Sequence, residues 1–129
     1  MKTLTTILIS LFLFITGFSQ EETIKLTFDR SIVKQVVLEE GFELFLDSAD
    51  FIMFSGTSHS TCYYFDKNNE CYMQVSIYGY DYYSEVIKDL NDNLMPRAVG
   101  HWVLYLPVDK RTYHYFVKQF ETFFSVTIN

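Results

Sequence analysis

From Phe42 to Ile128 the chain repeats one device: short runs of aromatic and β-branched residues, cut by polar turn segments. That spacing confines it to a fold dominated by strands joined in sequence on short connections. In the first run Phe42, Leu44 and Leu46 alternate with Glu43 and Asp47, the period-two pattern of a half-buried strand. Phe51–Phe54 follows a Ser-Ala-Asp turn, which predicts a hairpin. Thr61–Asp66 and Glu70–Tyr78 bracket Lys67-Asn68-Asn69, a turn of residues that tolerate the left-handed conformation, and predict a second hairpin. His101–Leu106, Thr112–Lys118 and Phe123–Ile128 then read as an antiparallel meander.

Two segments carry helical spacing. Residues 28–40 place Asp29 as N-cap, Ile32, Val33, Val36 and Val37 on one side and Gly41 past the end, although so many β-branched residues leave a strand at Ile32–Leu38 as the alternative. Tyr83, Val86, Ile87, Leu90 and Leu94 recur at the period of a second helix, with Asp81 as its cap and Pro96 as its stop. Helix, four strands, helix and three strands predict an α+β two-layer sandwich, a mostly antiparallel sheet with both helices on one face. Only five Gly and two Pro occur, and no repeat or linker interrupts the chain, so one domain over 20–129 is expected.

The first residues read differently. Lys2, an uncharged apolar run from Leu4 to Ile15, and small residues at Gly17 and Ser19 have the three-part layout of a secretory signal, so residues 1–19 are expected to be removed before Gln20. A membrane anchor needs about 20 apolar residues, more than this run supplies. The first cysteine is Cys62, so no lipid-bearing cysteine stands at the cleavage point. A periplasmic or secreted location follows, with no membrane partner after cleavage.

The formal net charge is −6, and Glu39, Glu40, Glu43, Asp47 and Asp50 form the densest acidic stretch. Such a surface repels phosphate backbones, which excludes nucleic acid as a favoured partner. The stretch itself reads as a solvated face.

The signal-like start, the run Tyr63-Tyr64-Phe65-Asp66-Lys67-Asn68-Asn69-Glu70-Cys71, and Trp102 with the closing Phe123-Phe124-Ser125-Val126 resemble small uncharacterised exported proteins of Bacteroidota. The resemblance implies export and an α+β fold. It implies no activity and carries no functional residue to this chain.

The residues that usually carry chemistry form no motif. Cys62 and Cys71 invite a disulfide in an exported domain. With Asn69 left-handed, however, Phe65 falls opposite Cys71 and Cys62 opposite Gln74, which separates the thiols onto opposite sheet faces. His59, His101 and His114 lack the i, i+4 spacing or adjacent cysteine pair of a zinc site, so no metal and no cofactor is expected. Ser55, Ser58 and Ser60 lie in a turn, outside any nucleophile motif.

Aromatic residues make up 19% of the chain, roughly twice the usual share. The more apolar row of the second hairpin, Thr61, Tyr63 and Phe65 with Cys71, Met73, Val75 and Ile77, is expected to face the core. The opposite row then carries Tyr64, Tyr72 and Tyr78, joined by Phe45, Val103, Tyr105, Phe116 and Phe123 from other strands. Tyrosine offers large contact area at low entropic cost and keeps a polar tip, which suits an interface. The functional expectation is an exported binding module with Tyr64, Tyr72, Tyr78, Tyr105 and Phe123 on an open face, taking a protein partner or a second copy. The alternatives are a small hydrolase or lyase built on His101, His114 and the acidic stretch 39–50, or a carbohydrate-binding domain that stacks sugars on its rings.

Overall fold

A computed structural model of the chain describes residues 24–129. The expected signal segment, 1–19, and its cleavage point lie outside the described residues. The elements are α1 (Arg30–Glu39), β1 (Glu43–Asp47), β2 (Phe51–Ser55), β3 (His59–Phe65), β4 (Cys71–Gly79), a 3-10 turn (Tyr80–Tyr82), α2 (Tyr83–Asn93), β5 (Met95–Ala98), β6 (His101–Leu106), β7 (Arg111–Gln119) and β8 (Phe123–Ile128).

All eight strands join one antiparallel sheet in the order β1-β2-β3-β4-β8-β7-β6-β5. The expected two-layer sandwich is therefore corrected: this is a single large sheet with two short helices, and a helical layer over one face is not what forms. The reason is size. Helices of ten and eleven residues are only about 15 Å long at 1.5 Å per residue. Eight strands extend over roughly 33 Å at about 4.7 Å per step. Each helix buries two residues fully, Val33 and Val37 from α1 and Val86 and Leu90 from α2.

Those four valines and leucines share one core with Ile52, Phe54, Tyr63, Phe65, Tyr78, Trp102, Tyr113, Tyr115, Phe124 and Val126. One sheet face thus supplies nearly all of the core. α1 starts as expected: Asp29 Oδ2 accepts from the Ser31 backbone N–H, and Gly41 follows the helix at φ +100°. Asp81 does not cap α2. It lies in the 3-10 turn, and the residue at the N-cap, Tyr82, makes no side-chain capping bond.

Pro96 does end α2, but the chain then continues as the short edge strand β5, which the sequence pattern did not separate from the helix stop. An edge strand tolerates proline, because the side facing away from the sheet needs no donor.

The second hairpin departs from its expected register by one residue. Asn69 is left-handed at φ 63° and Phe65 does pair with Cys71, but Tyr64 pairs with Met73, Cys62 with Val75 and Thr61 with Ser76. A β-bulge at Tyr72 accounts for the shift. Its cause is long-range: the Cys71 N–H donates to the Phe28 carbonyl and the Cys71 carbonyl accepts from the Thr27 N–H. The segment before α1 therefore holds Cys71, and Tyr72 is left over. Past the bulge the alternation reverses. Gln74, Ser76 and Tyr78 face the core, while Met73, Val75 and Ile77, expected inside, lie on the opposite face.

Candidate functional site

Register fixes what meets what on the face turned away from the core. One row runs Met53, Cys62, Val75, Thr127, Phe116, His101 across six strands, each pair directly opposed. Beside it run Ser55, Ser60, Ile77, Ser125 and Lys118. Val103 pairs with His114 and Met95, and Tyr105 with Thr112. Tyr105 is 56% exposed, Ile77 and Phe116 40% each. These are large apolar groups left in water, Tyr105 and Phe116 on the neighbouring β6 and β7 and Ile77 on β4 with β8 between.

Of the ring residues expected here, Tyr64 and Phe123 lie on this face half-buried, and Tyr105 lies on it exposed. Tyr72, 52% exposed, sits in the bulge, near enough to the Tyr64 phenol to act on it electrostatically. Tyr78 does not belong to the group. It is 6% exposed and stacks in the core between His59 and Phe124, at 4.5 and 5.3 Å between ring centres. The bulge moved it there. Phe45 is exposed, but in a bulge of β1 at the far end of the sheet.

Cys62 and Tyr64 lie two residues apart on this face. Burial pushes both the Cys62 thiol and the Tyr64 phenol above their ordinary values, the neighbouring tyrosine partly offsetting this for the thiol. Cys62 is thus on the outer row as expected, yet closely packed. Cys71 is in the core, and both thiols are free.

His101 and His114 lie diagonally across the β6–β7 hairpin, with His101 Nε2 and His114 Nδ1 3.0 Å apart. The His101 ring stacks on Phe116 at 4.3 Å between centres. Burial, then His114, then Arg97 hold the His101 pKa below its ordinary value, and across the contact between the rings one nitrogen donates and the other accepts. The sequence pattern grouped the two histidines with the acidic stretch 39–50; the hairpin register brings the two rings together.

The acidic stretch does not come to this pair. Asp47 is on β1, five strands from β7 in the sheet order, and is engaged by Lys34 and Arg30 of α1, which together hold its carboxyl below the ordinary range. Arg97 acts electrostatically on His101, and Lys118 lies two residues beyond Phe116 on the same face. No group of three or more His, Cys, Asp or Glu that could hold a metal occurs among the described residues, and no described helix is long and apolar enough to cross a membrane.

No protein-family model matches the chain, and no curated protein or solved structure matches it.

Proposed function

We propose that the chain is exported with loss of residues 1–19 and acts as a binding module that takes a protein partner on the outer face of its sheet. The observation that carries this is the inverted pattern of β4. Its polar residues Gln74 and Ser76 are buried in the core, where Ser76 Oγ donates to Thr61 Oγ1 at 3.3 Å, while its apolar Val75 and Ile77 face outward. A sheet that faced only water would gain from the opposite register. Ile77, Phe116 and Tyr105 are further large apolar side chains exposed on the same face, which favours contact with a partner there.

Charge narrows the partner. The protein is acidic overall, with a net charge of −6. Yet Arg97 acts on His101, and Lys118 shares the face two residues beyond Phe116. An apolar surface flanked by carboxylates complements that arrangement, and charge complementarity sets both encounter rate and register.

The test places a photo-crosslinking phenylalanine at Tyr105, and in a control at the exposed Glu85 of α2, in the producing cells. A distinct protein crosslinked at 105 and not at 85, and lost on Lys118→Glu, is the expected result. No adduct, equal adducts at both positions, or an adduct of two copies of this chain would each overturn the proposed partner. Intact mass of the exported chain checks the first half of the proposal. A product beginning at Gln20 is expected, and a chain retained unprocessed in the cytoplasm overturns export.

A further inference from the structure

We propose that His101 and His114 form a two-imidazole chelate for a divalent late transition metal, copper(II) above all, on the outer face of the β6–β7 hairpin. The geometry points there on its own account, separately from the partner proposed above. Imidazole binds such metals at about 2.0–2.1 Å. Two nitrogens 3.0 Å apart then subtend an angle of roughly 91–97° at the ion, which matches neighbouring corners of the square-planar or tetragonal field preferred by copper(II) and nickel(II). A tetrahedral ion asks for about 109°, hence a separation nearer 3.3–3.4 Å, so zinc fits less well.

The site is built as well as spaced. Phe116 stacks on His101 and lies within 6.2 Å of His114 between ring centres, so both rings are held by one aromatic neighbour. Such support from outside the ligand set orients metal-binding imidazoles. Both histidines are half-exposed, which gives an ion direct access. The ligands come from two strands of a hairpin whose six paired positions run from His101–Phe116 to Leu106–Arg111, so their spacing is set by the sheet and not by a loop.

The chemistry balances without an oxidant. In the free pair one ring donates its N–H to the other. Coordination needs a lone pair from each, aimed at the ion and not at the other ring, so both rings turn about their Cβ–Cγ bonds and the donating ring moves that proton to its far nitrogen through water. Two metal–nitrogen bonds form and two waters leave the aqua ion. Two imidazoles in their neutral form coordinate without net release of a proton. Arg97 opposes the incoming charge, while the net charge of −6 over the whole chain favours it.

The experiment titrates the untagged chain with copper(II) sulfate, followed by calorimetry and electron paramagnetic resonance, with histidine labelled by the heavy nitrogen isotope in a parallel sample. One copper per chain is expected, with hyperfine splitting from two histidine nitrogens. His101→Gln and His114→Gln should each weaken binding at least about tenfold, as loss of half the chelate implies, with zinc(II) binding the unaltered protein more weakly than copper(II). His59→Gln, on the core-side row, should change nothing. Fewer than two histidine nitrogens, an affinity untouched by the two substitutions, an equal loss in His59→Gln, or zinc binding as tightly as copper would overturn the proposal. Because the signal from unaltered protein already counts the nitrogens, a variant that fails to fold leaves the test intact.

Discussion

Raising the pH should destabilise this protein through one buried thiol, and the size of the effect follows from its surroundings. Cys71 is 2% exposed between Phe65 and the segment before α1, and its thiol donates to the Met73 carbonyl at 3.6 Å. Burial pushes its pKa from 9.0 up to about 11, against smaller opposing contributions from the hydrogen bond to Met73 and the nearby Lys25 ammonium. The folded pKa is the higher one. Above pH 9 the unfolded chain therefore holds fewer protons than the folded chain, and stability must fall as pH rises. The contribution is fully present below pH 9 and is lost through about pH 11. Integrating the linkage relation with these values gives a loss of about 2 kcal/mol at pH 10.5 and almost none at pH 8. The assay is urea unfolding of the unaltered protein and of Cys71→Ala at both values. Tyr113, whose phenol burial and Asp109 push up to about 12, contributes with the same sign but is present in both proteins and cancels. The stability gap between the two proteins should therefore shift by about 2 kcal/mol in favour of the variant between pH 8 and 10.5. A gap that stays constant would refute the reasoning, and would mean that Cys71 is already in contact with water.

Two further substitutions separate core from candidate face. A Cβ at Gly56 would stand 2.6 and 2.8 Å from the Phe42 ring and 3.0 Å from the His59 carbonyl. Gly56→Ala should therefore cost about 1–3 kcal/mol, the range for overpacking, and a melting temperature equal to that of the unaltered protein would show the ring moves freely. Tyr105→Ala should cost less than about 1 kcal/mol, because that side chain is 56% exposed, and a larger loss in urea unfolding would place it in the core.

The strand runs and helical segments were legible in the sequence because each is a local pattern. Asp29 before Ile32, Val33 and Val37, the Asn-rich turn before Glu70, and the period-two runs after His101 all mean in the fold what they mean in isolation. What was not legible depends on contacts far along the chain. The bulge at Tyr72 exists because Thr27 and Phe28 bond to Cys71. Nothing within the hairpin announces it, and the more apolar row looked like the inner one. That single residue sent Tyr78 into the core and Val75 and Ile77 outward. Tyr64, Tyr105 and Phe123 were placed on the right face because their alternation does not cross the bulge. The two histidines were legible as neighbours because their runs form one hairpin, but the acidic stretch grouped with them was not, since the sheet order puts Asp47 of β1 five strands from β7. The sandwich expectation failed on quantity, since helix segments counted as a layer are too short to cover eight strands.

The strand order also says how this chain must assemble. Within β1–β4 and again within β5–β8 every pairing joins neighbours in sequence, and only β4–β8 reaches further, bringing 74–79 against 123–128. Closing a loop the length of 79–123 costs about 2 kcal/mol more in chain entropy than closing a five-residue hairpin turn, by the logarithmic scaling of loop closure. Two meanders that form early and locally would then wait for one slow encounter. Substitutions at Val126 or Ser76, which face each other across that seam, should retard folding more than equal losses placed inside either meander.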